Sequence, residues 1–86
     1  MCRLTSGPAL MARPSLQERR KRLRRALVKA RKDAGLTQTD VAKRLGKPQA
    51  FVSRYETGER QLDIAELVEL ADIIGFDLYD VIEAVL

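Results

Sequence analysis

From Leu23 onward, apolar residues recur at intervals of three and four. Leu23, Ala26, Leu27, Ala30 and Ala34 form one stripe, Val41, Ala42 and Leu45 a second, and Val52 and Tyr55 a third. Ile64, Leu67, Leu70, Ala71 and Ile74 form a fourth, and Leu78, Val81, Ile82, Val85 and Leu86 a fifth. Such spacing puts the members of each stripe on one side of an α-helix. No useful length alternates with the period of two that a half-buried strand requires. The pattern predicts an all-α domain of five helices with no internal repeat.

The residues between the stripes mark where each helix begins and ends. Ser15 with Glu18, Thr37 with Asp40, and Asp63 with Glu66 are capping boxes. In each, a side-chain oxygen accepts from an unpaired N–H of the opening turn, and an acid three residues on reaches back to the cap. Asp77 caps the last helix, while Gly35, Gly46 and Gly75 stand where a left-handed residue closes a helix at least cost. Pro48 suits the first turn of the third helix, whose N–H groups have no intrahelical partner. Residues 57–61 form the loop after it. The first helix is expected to run from Ser15 to Ala34. Its opening segment, Glu18-Arg19-Arg20-Lys21-Arg22, precedes the stripe and so is expected to project or fray. Residues 1–14 hold Gly7, Pro8 and Pro14 and carry no stripe. They are expected to be a disordered basic extension, with Met11 as an alternative start, and residues 15–86 to be the domain.

Composition narrows the chemistry. The chain has 86 residues, no His and a single Cys, Cys2. A domain of this size buries only about 60% of the surface its unfolded chain exposes, so its stability is expected to be modest. A His or multi-Cys metal site and a disulfide framework are excluded within one chain, and no cofactor is expected. No clustered carboxylates accompany a nucleophile, so the chain is not expected to be an enzyme or to take a small-molecule substrate. No apolar run approaches the roughly 20 residues of a membrane span, and the N-terminus lacks a signal-peptide core. A cytoplasmic setting with no membrane partner follows as an expectation.

The formal net charge of +4 conceals a gradient: +10 over residues 1–32, +1 over 33–60 and −7 over 61–86. That asymmetry suggests a front that meets a polyanion and a back that avoids it. For the basic run Arg19 to Arg25 three readings stay open: a solvated helix end, an arm adding nonspecific phosphate contacts, or a site for RNA or another acidic partner.

The most informative stretch is 37–56, two short helices joined by a tight turn. With Val52 and Tyr55 inward, the second helix turns Gln49, Ala50, Ser53 and Arg54 outward. A glutamine can pair bidentately with adenine N6 and N7, an arginine with guanine O6 and N7, and Ala50 or the Phe51 ring can rest on a thymine methyl group. Arg54 could instead pair with Glu56 or Asp63, and Phe51 could pack rather than read. Tyr55 is expected in the core, its hydroxyl finding a surface partner.

In order and spacing, Gly35-Leu36-Thr37-Gln38, Val41-Ala42, Leu45-Gly46 and Ser53-Arg54-Tyr55-Glu56-Thr57-Gly58 resemble the helix-turn-helix domains of the phage repressor and Cro type (XRE-like). The resemblance covers roughly Leu23 to Ile82. It implies a compact lambda-repressor-like fold in which Gln49, Ala50, Ser53 and Arg54 face bases. Gln38, Lys47, Thr57 and Gly58 would meet phosphates, and Arg31 with Glu56 would form a structural ion pair. The chain departs from the family pattern at Phe51, often small or polar there, and at Ala50, which replaces a second glutamine. No operator sequence is therefore carried over.

The fifth stripe ends with the chain and is apolar beyond what four packed helices need. Its outer edge, Tyr79, Ile82, Val85 and Leu86, is expected to form the interface of a homodimer; closing the core is the alternative. A two-fold dimer would set two recognition helices about one DNA turn (~34 Å) apart, matching a palindromic operator in double-stranded DNA. The leading functional expectation is a sequence-specific transcriptional regulator, most simply a repressor. The alternative is an antitoxin that neutralises a toxin by protein–protein contact and autoregulates its operon.

Overall fold

The computed structural model describes residues 13–86. The expected extension 1–14, with Met11, lies outside the described residues apart from Arg13 and Pro14. The described residues form five helices and no strand: α1 (Leu16–Asp33), α2 (Gln38–Leu45), α3 (Gln49–Thr57), α4 (Ile64–Ile74) and α5 (Leu78–Val85). None of them is long and apolar enough to cross a membrane.

The stripes close on one core of Leu27, Val41, Ala42, Val52, Tyr55, Leu67, Leu70, Ile74 and Val81. Burying such side chains removes apolar surface from water, the main favourable term in a domain of this size. Three connector residues, Leu36, Leu62 and Phe76, pack against that core as well. α2 and α3 lie against each other, and α1 packs on both α3 and α5. The turn between α2 and α3 is made by Gly46 at φ 71°, a left-handed conformation that a residue bearing Cβ adopts only at a cost. Its N–H donates to Lys43 O at 3.2 Å, and the Lys47 N–H donates to Ala42 O at 3.0 Å. Those two bonds satisfy carbonyls left over at the end of α2.

Several details differ from the sequence expectations. Ser15 caps α1 by accepting from the Glu18 N–H at 3.0 Å, but its box is only half made. The Glu18 carboxylate turns instead to Arg22 (3.6 Å) and Arg25 (3.4 Å), cations one and two turns along. The start of α1 does not project. It lies against α5, and Arg19 Nη1 donates to the Val85 and Leu86 carbonyls at 3.3 and 3.2 Å. The partner that the α1 sequence does not reveal is thus the last helix. Pro48 is the cap residue of α3 rather than part of its first turn, and α3 includes Thr57. Ala34 is exposed, just past the end of α1. Ile64 is 67% exposed, because it starts α4 at the edge of the stripe whose centre is Leu67, Leu70 and Ile74.

Candidate nucleic-acid interface

A chain of polar contacts runs from inside the domain to its surface. Arg31, the buried charged residue of α1, donates from Nε to Glu56 Oε2 at 2.7 Å and from Nη2 to Oε1 at 3.2 Å. The two side chains are only 11% and 6% exposed. Arg31 Nη1 donates to Leu36 O at 3.0 Å, so the guanidinium also holds the connector into α2. The hydrogen bond to Glu56 raises the Arg31 pKa above its ordinary value. Glu56 Oε1 accepts a further bond from Gln38 Nε2 at 2.8 Å, and Gln38 Oε1 accepts from Gln49 Nε2 at 2.6 Å. Three helices are thereby joined through four side chains, and the last of these opens α3.

Gln49 and Arg54 are exposed, and Ala50 and Ser53 half-buried, along the outer side of α3. Arg54 Nε lies 3.7 Å from Glu59 Oε1, a loose and exposed pair with a different acid from either expected one. Phe51 packs, the second of the two roles open to it. It is half-buried against the core, meets Tyr55 edge-to-face at 5.8 Å, and carries Arg60 at 4.7 Å and Lys47 at 5.3 Å from its ring centre. The two cations over the ring are attracted by its negative face.

Of the residues expected near phosphates, Lys47 is exposed in the turn before α3, and Gln38 is half-buried and already bonded on both sides. At the other end of α3, Thr57 Oγ1 donates to Arg54 O at 3.2 Å and the Gly58 N–H donates to the same oxygen at 3.1 Å. Both donors therefore serve the helix end. Tyr55 is buried as expected, but its hydroxyl has no hydrogen-bond partner among the described residues, and burial pushes its pKa up. The ring lies too deep in the core for the oxygen to reach the surface. On the far side of the domain Tyr79 (79% exposed), Leu86 (70%) and Ile82 (38%) face outward from α5, with Val85 half-buried beside them.

Comparison with known proteins places this geometry. A helix-turn-helix family model matches residues 27–81. A solved structure described as an XRE-family like protein from Pseudomonas syringae pv. tomato str. DC3000 is 36% identical in sequence. It superposes with a TM-score of 0.76 over 93% of this chain and 94% of its own. No curated protein matches.

Proposed function

Because the chain belongs to the phage repressor/Cro-type (XRE-like) helix-turn-helix family, it is a DNA-binding transcription regulator, and we propose that it is a sequence-specific repressor acting as a homodimer on a palindromic operator. In this reading α3 enters the major groove. Gln49, Ala50, Ser53 and Arg54 meet base edges, while Gln38, Lys47, Thr57 and Gly58 lie along the flanking phosphates. Occupying a promoter excludes polymerase, and that requires neither catalysis nor a cofactor.

The observation that carries the reading is the Gln49–Gln38–Glu56–Arg31 relay. An exposed glutamine at the front of a helix ordinarily samples many rotamers, and ordering it on binding costs free energy. Here its amide is held before DNA arrives, as direct readout of an adenine edge favours. The exposed apolar edge of α5, with Tyr79, Ile82, Val85 and Leu86, supports self-association through that helix.

Selection from a random duplex library at near-physiological salt tests specificity, and sedimentation tests assembly. An inverted repeat with half-sites one helical turn apart is the expected product. Enrichment of no sequence refutes specific readout, and a monomer at tens of micromolar both free and on operator refutes the dimer.

A further inference from the structure

We infer that Arg20 and Arg24 form a second phosphate-binding patch, which grips the DNA backbone beside the C-terminal end of α3. The inference rests on the DNA-binding reading above and assigns a role to the basic start of α1. Arg20, Arg24 and Arg31 are spaced by one and then two turns, so they share one side of α1. The last of the three is tied to Glu56 near the end of α3. One step toward the N-terminus, the Arg24 guanidinium lies directly over Gly58. A side-chain carbon added to that glycine would come within 3.1 Å of Arg24 Cζ and 3.2 Å of Nη1. Arg20 and Arg24, together with Arg60 and Gln61, wall a cleft of about 250 Å³ whose apolar lining includes Leu27 and Tyr55. Two of its lining residues thus belong to the fixed core.

The charges around this cleft are not equivalent. Arg60 is neutralised by Glu66, with contacts of 2.7 and 3.2 Å, and is stacked on Phe51. Arg22 and Arg25 face Glu18, and Lys29 faces Asp33. Arg20 and Arg24 make no ion pair among the described residues. Two uncompensated guanidiniums therefore stand beside the end of the recognition helix. There the Thr57 hydroxyl and the Gly58 N–H also bond Arg54 O, so the two guanidiniums add the positive charge that these shared donors do not supply. A guanidinium suits the paired oxygens of a phosphodiester, and such contacts carry no base preference.

The test is the salt dependence of binding by the full chain to random-sequence and selected duplexes. Arg20→Gln/Arg24→Gln should flatten the slope of log affinity against log salt on both duplexes by about 1.8 per bound protomer, about 3.6 for a dimer, each lost phosphate contact removing about 0.9. Arg20→Lys/Arg24→Lys should keep most of the slope, which separates charge from misfolding. Arg22→Gln/Lys29→Gln changes net charge equally on the opposite side of α1 and should leave the slope near the wild-type value. An unchanged slope in the first variant, or an equal flattening in the first and the last, overturns the inference while leaving DNA binding intact. A wild-type chain that holds no duplex even at low salt overturns both.

Discussion

Gln49 Nε2 donates to Gln38 Oε1 at 2.6 Å, so the first residue of α3 is fastened to the first residue of α2. The bond crosses the turn at Gly46 and fixes the relation between α2 and α3 at the end expected to face DNA. A glutamine that holds another glutamine serves two purposes at once. Gln38→Ala is expected to weaken operator and random duplex together and also to loosen preference at the base proposed to meet Gln49. Arg54 has no such tether beyond a 3.7 Å approach to Glu59. Arg54→Ala should cost ~1–3 kcal/mol on the operator and relax a single base position. Titrating both variants against operator and random duplex separates these effects. An unchanged operator-to-random ratio in Gln38→Ala would show that the amide bridge does not orient Gln49.

The Arg31–Glu56 pair gives a sharper expectation for stability. Removing either partner leaves the other charge buried and without its counterpart, which costs about 3–5 kcal/mol in comparable sites. Glu56→Ala also deprives Gln38 of its acceptor. Arg31→Met/Glu56→Met removes both charges together and is expected to be less destabilising than Arg31→Met or Glu56→Met alone. Urea unfolding of the three variants provides the comparison. Additive losses would mean that the two side chains act independently despite their 2.7 Å contact.

The helices, their caps and the core stripes were legible because each depends on local spacing. A box such as Thr37 with Asp40 is satisfied within one turn, and both halves of it are present. The start of α1 was not legible, since its partner α5 lies more than sixty residues away in sequence and no periodicity reports it. Ile64 misled for a related reason: spacing identifies a face, but not whether a neighbouring helix extends far enough to cover its end. Leu36, Leu62 and Phe76 carry a signal that lies outside the helical stripes. Each directly precedes a cap residue and stands five positions before a buried one: Val41, Leu67 and Val81 respectively. That is the spacing of a hydrophobic staple, so these connectors are part of the core. The candidate base readers could be named from sequence, yet the link that holds Gln49 depends on Glu56, one helix length away in α3.

Tyr55 supplies a test of opposite sign. Its ring fills the core and meets Phe51, but the hydroxyl is buried with no partner among the described residues. Leaving a polar group desolvated and unpaired costs about 1–3 kcal/mol, whereas the ring's packing survives in phenylalanine. Tyr55→Phe is therefore expected to leave stability unchanged or raise it by up to about 1 kcal/mol, read from the urea midpoint. A loss larger than that would reveal that the hydroxyl is engaged.

Acid should weaken the fold partly through its caps. Asp40 is held below its ordinary value of 3.8 by the Thr37 N–H, which donates to Oδ2 at 2.9 Å, and by the Thr37 hydroxyl. Glu66 is held below its ordinary 4.5 first by the Arg60 guanidinium and then by the Asp63 N–H. As pH falls, the unfolded chain binds protons at these carboxylates before the folded chain does, so protonation favours unfolding. The contribution is complete above the ordinary values. It fades as pH drops through them toward the lowered ones, and below both it is gone. Both groups are half-buried at the domain surface, and solvent screening keeps each contribution small. The comparison that isolates them is urea unfolding of the wild type and of Asp40→Asn/Glu66→Gln across the acid range. The variant should be less stable near neutrality, and the two curves should converge once pH has fallen below the lowered values. Curves that stay parallel throughout would place the acid sensitivity on other carboxylates.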